Sequence, residues 1–291
     1  MMLTRSALTD AIVDKAKTLG AAIAGVADVE SLKASPSHQI HPKIGMDLDK
    51  DWREAEIARE PEGIAWPPDA VSAVVIGVPH PADSPSLDWW DGKGTPGNRV
   101  LIRITAQLCQ WLEHDCSIKT HKPPYLIEKG GIFLKDAAVL AGLGCVGRNN
   151  LVITPDYGPR IRFRALLIDR EAQPTGPIEF DPCDGCNEPC RVACPVSAFQ
   201  RSVYPADALG QSILPGTDGT YDRVTCNLKM DGDIEDAVRA MSGGDGEKQE
   251  TRLAIEAFED GGKVKPKGDR GVDYCVKYCR QCELSCPVGR W

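Results

Sequence analysis

The hydrophobic pattern divides the first 170 residues into alternating helices and strands. Leu8, Ile12, Val13, Ala16 and Leu19 recur at helical spacing, and Gly20 closes the helix predicted over residues 4–19. Residues 21–27 read as a short strand. Residues 72–78, SAVVIGV, form an apolar run too short for a helix and read as a buried strand. An amphipathic helix is predicted over residues 98–114. A second helix spans residues 135–143 and ends at Gly144. Residues 151–154 and 160–168 follow as strands, expected to pair as a hairpin across the turn at 155–159. Residues 30–69 are polar and Pro-rich, with a helix expected around 52–59, and residues 79–97 form a loop containing Pro, Gly and Trp. Helix–strand alternation through residue 169 indicates an α/β domain. The pattern breaks at Pro174-Thr175-Gly176-Pro177, which places a boundary between a domain of residues 1–177 and one of residues 178–291. A charged helix is expected near residues 247–258.

Charge narrows the classes of partner. The chain has 42 acidic and 34 basic residues, a net charge of −8, which argues against a protein that coats nucleic acid. No apolar run approaches the ~20 residues that span a bilayer. The N-terminal stretch lacks the basic and apolar regions of a secretion signal, so a cytoplasmic location is expected.

Twelve cysteines change the picture most. Cys183, Cys186, Cys190 and Cys194-Pro195 form one run, and Cys275, Cys279, Cys282 and Cys286-Pro287 form another. Both resemble the C-x2-C-x2-C-x3-C-P run of two-cluster ferredoxins, in which three thiolates hold one 4Fe–4S cluster and the fourth crosses to the other. Zinc sites favour separated ligand pairs, often with His, and neither run contains His. Cross-over assigns the first cluster to Cys183, Cys186, Cys190 and Cys286. The second takes Cys194 and three of Cys226, Cys275, Cys279 and Cys282.

Upstream, residues 141–155 read AGLGCVGRNNLVITP and contain G-x-G-x-x-G at Gly142, Gly144 and Gly147. A dinucleotide site needs the strand before the glycines and the helix after; the predicted order here is the reverse. Arg160, Arg162 and Arg164 alternate along a strand, share one face and need anions, supplied either by a cofactor's phosphate or polar groups or by Asp and Glu partners on a solvated face.

AGLGCVGRNN, YGPRIRFRALLID, PCDGCNEPCRVACP and CRQCELSCP, in that order, resemble the epoxyqueuosine reductases and the related reductive dehalogenases. The resemblance implies an α+β fold, with a nitroreductase-like α/β cobalamin-binding core followed by a ferredoxin-like domain holding two 4Fe–4S clusters. It spans residues 120–291 closely and the first 120 loosely. The family often carries an aromatic residue at Cys145 and Lys at Arg148. By this resemblance Cys226, Cys279 and Cys282 complete the second cluster and Cys275 is spare; local spacing alone favours Cys275. Gly142, Gly144, Cys145, Gly147, Arg148, Asn149, Arg160 and Arg162 are the expected cofactor-binding residues, the glycines letting backbone approach a flat macrocycle. None of the five histidines lies in D-x-H-x-x-G, so base-off cobalamin with no protein ligand below is implied. Glu128 aligns with the family's catalytic acid, and Tyr125 is the second candidate proton donor.

The function implied is a cobalamin-dependent iron–sulfur reductase that passes electrons from the clusters to cobalt and reduces a small-molecule substrate. A ferredoxin or flavodoxin would be the electron donor. The alternative is an electron-transfer protein that reduces the cobalamin of a partner corrinoid protein. The epoxyqueuosine reductases continue past the last Cys-Pro into a helical-repeat segment that helps hold tRNA; this chain stops four residues after Pro287, so a tRNA substrate is not expected.

Overall fold

A computed structural model describes residues 4–43, 64, 66–80, 88–90, 94–125, 127, 130–241 and 276–289. The N-terminal part is built on an antiparallel four-stranded sheet in the order β1-β2-β6-β3: β1 (Ile23–Asp28), β2 (Ser72–Pro79), β3 (Thr120–His121) and β6 (Ile161–Ile168). Val75 of β2 faces Gly25 on one side and Ala165 on the other. The unbroken apolar run of β2 has a direct cause, since both faces of the strand are covered. Val74, Ile76 and Val78 join one core with Ile12 of α1 (Arg5–Thr18) and Leu101, Ile104 and Leu108 of α4 (Pro96–Asp115). Ala73 and Val75 join the other with Val29 and Leu32 of α2 (Val29–Lys33) and Ala137 and Ala138 of α5 (Leu134–Leu140).

The helix expected before the glycines is α5, and a small two-stranded unit follows it: β4 (Cys145–Val146) pairs with β5 (Val152–Ile153). This corrects the hairpin expected between residues 151–154 and 160–168. β6 is buried along most of its length and sits between β2 and β3, so its edges are already paired. The β4–β5 turn has its own signal in Asn149-Asn150. Asn150 adopts φ 58°, and Asn149 Oδ1 accepts from Leu151 N at 3.1 Å. The strand pairs among the described residues are all antiparallel.

The remaining helices are short, α3 (Pro36–Ile40), α6 (Pro189–Val192), α7 (Ala206–Leu209) and α9 (Gln281–Leu284), apart from the 19-residue α8 (Arg223–Met241). α6 carries Cys190 and α9 carries Cys282, and the two helices pack together. The helix α8 was not expected. The helices predicted near residues 52–59 and 247–258 lie outside the described residues, as does Cys275.

Candidate metal centre and cofactor segment

Among the described residues every cysteine is a free thiol, and eight of them fall into two groups by the charges they feel. Burial pushes Cys190 up to about 11, with repulsion from Cys286 and Cys183 in the same direction. Burial also raises Cys286, and the neighbouring Cys183 and Cys186 raise it further. In the second group burial raises Cys282 well above the usual thiol range, and Cys226, Cys279 and Cys194 add to the shift. Burial raises Cys226 too, again with Cys279 and Cys194 as the repelling thiols. The groups are therefore Cys183, Cys186, Cys190 and Cys286, and Cys194, Cys226, Cys279 and Cys282. Four thiols gathered beside one another form a donor set suited to a cationic centre, which would deprotonate them outright. Hydrogen bonds already point at the sulfurs. Backbone N–H groups of Arg148, Arg191 and Val288 reach Cys183, Cys190 and Cys286. Ala198 N donates to Cys194 Sγ at 3.3 Å, and the Tyr221 hydroxyl donates to Cys226.

The glycine segment lies against the first group. Cys145 is raised to about 12, chiefly by burial and then by Cys183. The space a Cβ would take at Gly144 is filled by the Ile153 carbonyl of the hairpin, at Gly147 by the Ile153 side chain and at Gly142 by the Thr175 carbonyl. These glycines thus serve close packing of the chain on itself. Arg148 pairs with Glu188, beside α6. Asn149 is buried, and its Nδ2 has no hydrogen-bond partner. That amide is a buried donor in the segment without a partner among the described residues.

Arg160 and Arg162, two of the expected cofactor-binding residues, are engaged by the protein itself. Arg160 is 1% exposed and donates to the carbonyls of Glu283 at 3.1 Å, Cys286 at 3.3 Å and Val288. It was expected to meet an anion; it instead anchors the end of the second cysteine run, and its charge favours the Cys286 thiolate. Arg162 pairs with Asp88 and donates to Tyr278 Oη at 2.8 Å. Arg164 lies over the ring of Tyr125, 5.8 Å from its centroid. Tyr125 is 40% exposed, while Glu128 lies outside the described residues.

Sequence reasoning missed the buried charges around Arg162. Arg280 binds Asp88 at 2.9 Å, pairs with Glu283, and has Nη2 2.6 Å from His80 Nδ1. His80, Asp88 and Glu283 could converge on a cation, but two guanidinium groups already occupy their oxygens. The residues lie 200 positions apart and share no motif, so no local signal marked them. Lys135 was missed as well. Burial lowers its ammonium to about 8, while nearby charges act in both directions: Asp136, Cys226 and Cys282 raise it and Arg223 lowers it.

No protein-family model matches the chain. A tetrachloroethene reductive dehalogenase of Desulfitobacterium hafniense is 40% identical over 70 residues, 23% of this chain and 13% of that protein. The epoxyqueuosine reductase of Synechocystis sp. is 28% identical over 187 residues, 61% of this chain and 62% of the relative. The chain is a homologue of both enzyme groups. These homologues are reductases by name, and the chain spans less than two thirds of their length. The solved epoxyqueuosine reductase of Streptococcus thermophilus shares the fold of this homologue, with a TM-score of 0.54 and 19% identity over 97% of this chain and 66% of that one.

Proposed function

We propose that the protein is an oxidoreductase that holds two 4Fe–4S clusters and a corrinoid and delivers electrons to a small-molecule substrate. The observation that carries this reading is the division of eight buried or half-buried thiols into two groups of four, each drawing on both parts of the cysteine-rich region. Cys183, Cys186, Cys190 and Cys286 would hold one cluster, and Cys194, Cys226, Cys279 and Cys282 the other. When bound, the clusters supply one-electron transfer. The protein's own part is to fix the thiolates and donate hydrogen bonds to them. The corrinoid reading is supported by the AGLGCVGRNN segment, the free Nδ2 of Asn149 and the exposed Tyr125, whose phenol and the Glu128 carboxyl are the proposed proton donors. No helix among the described residues is long and apolar enough to cross a membrane.

Anaerobic reconstitution should give about eight iron and eight acid-labile sulfides per chain. Iron near four, or stoichiometric zinc, would remove the two-cluster reading. Cys226→Ala should lose the second cluster, whereas Cys275→Ala should retain it, as judged by iron content and by EPR of the reduced protein. The reverse result would assign Cys275 as the ligand. Added cob(II)alamin should bind without nitrogen superhyperfine splitting from an axial ligand, and Asn149→Ala should weaken that binding. Failure of any corrinoid to bind would leave an iron–sulfur electron carrier.

A further inference from the structure

Lys135 is an ammonium group from the N-terminal domain placed beside sulfurs of the C-terminal one. Among the described residues its Nζ makes no hydrogen bond or ion pair. Its ring contact is with Tyr221, 5.9 Å from the centroid. Tyr221 in turn donates its hydroxyl to Cys226, and its ring lies 5.6 Å from that of Phe199. The charge of Lys135 is felt at Cys226 and Cys282, two of the four thiols of the second group. Residues on both sides of Lys135 are pinned. Phe133 N donates to His38 Nε2 at 3.3 Å. Asp136 accepts from Ser35 Oγ at 2.6 Å and from Ser37 N at 2.8 Å through Oδ2, and from Ser37 Oγ at 2.7 Å through Oδ1. Asp136 therefore has its oxygens engaged elsewhere, and the start of α5 cannot swing Lys135 away without breaking those bonds.

We propose that Lys135 is the potential-setting cation of the second cluster, a positioning residue that stabilises its reduced form. This rests on the two-cluster reading above. Reduction adds one electron, and so one unit of negative charge, to a site already carrying four thiolates. A fixed positive charge nearby favours the more negative state and raises the midpoint potential. The Tyr221 hydroxyl acts in the same direction by stabilising the Cys226 thiolate. Arg223, whose charge Lys135 and Tyr221 both feel, adds to the positive field at this end of α8.

The test is a dithionite redox titration, followed by EPR, on the reconstituted full-length protein and its Lys135→Met variant. With iron and sulfide unchanged, the second cluster should become harder to reduce. Its reduced-to-oxidised ratio at fixed potential should fall roughly tenfold, about 59 mV for a one-electron couple. The first cluster should not move, and Lys135→Arg should stay near the parent. Tyr221→Phe should shift the same cluster in the same direction. An unchanged second midpoint in a fully loaded Lys135→Met protein would overturn the assignment. Should that variant lose the second cluster, Lys135→Gln gives a second uncharged side chain. Loss from both with retention in Lys135→Arg supports the charge requirement, and loss from Lys135→Arg as well would overturn it. If the parent binds no second cluster, the two-cluster reading fails instead, and the metal analysis shows this before any titration.

Discussion

His38 shows how far a single buried side chain can set the response of this fold to acid. It is 7% exposed, packed against Trp66 and Phe133, and lies in a hydrogen-bonded chain. Ser35 Oγ donates to Asp136, so His38 Nδ1 must donate to Ser35 Oγ, 2.8 Å away, while Nε2 accepts from Phe133 N. A second proton on the ring would break that last bond and charge a buried group. Burial accordingly lowers the imidazole from 6.5 to about 4, although Asp136 pulls the other way. Between these values the unfolded chain binds the proton and the folded one does not. The stabilisation from neutral His38 is full above the unfolded value and is lost as pH falls toward about 4, reaching about 3 kcal/mol. Urea unfolding of the parent and of His38→Gln between pH 7 and pH 4.5 checks this. The variant should lose much of the parent's pH slope; equal slopes would show that His38 does not titrate in this window.

At the scale of elements, periodicity located α1, β1, β2, α4, α5 and β6 to within a few residues, because each buries a face that its sequence shows. Pairing was less legible. A strand as apolar as 161–168 could lie anywhere in a sheet, and only tertiary closure puts it between β2 and β3. Spacing marks the cysteine runs as candidate ligands, and alternation marks the basic strand as needing partners without saying which. Arg160 is the clearest case. Its acceptors are carbonyls more than 120 residues away, which no pattern within the strand can announce. Beside it, the turn closed by Thr154 and Gly158 meets the C-terminal segment backbone to backbone. Gly158 at φ 57° faces the Val288 carbonyl, and Gly289 at φ 63° faces Gly158 N, with no room for a Cβ at either. Arg160→Met should therefore free residues 283–288. The expected cost is about 2–4 kcal/mol from lost charged hydrogen bonds, with faster iron release to a chelator from the cluster proposed at Cys286. A variant with parental melting and parental iron release would show that the glycine contacts alone hold the segment.

At the scale of the whole molecule, the last described segment, residues 276–289, returns to the N-terminal part of the chain and is fixed there by buried charge. Trp90 and Val276 exchange backbone hydrogen bonds of 2.9 and 2.6 Å, and Lys277 lies 4.8 Å from the ring centroid of Trp89. Behind this bridge, Arg162 and Arg280 share Asp88, and Arg280 also holds Glu283. Two cations and two carboxylates balance, so the network tolerates burial only while every member is present. Replacing both partners of one pair by uncharged groups of similar shape should cost far less than removing one. Arg280→Met alone leaves Asp88 and Glu283 with a single guanidinium and should destabilise the protein by about 3–5 kcal/mol. Glu283→Gln alone leaves an excess cation with a comparable penalty. The double variant Arg280→Met/Glu283→Gln should recover a large part of the combined loss, giving a coupling of at least about 1 kcal/mol in urea unfolding. Additive losses would mean that water reaches the pair and that packing, rather than charge balance, holds the second cysteine run against the core. Because Cys279, Cys282 and Cys286 straddle Arg280 and Glu283, each single variant should also lower the iron retained after reconstitution, and the double variant should restore it.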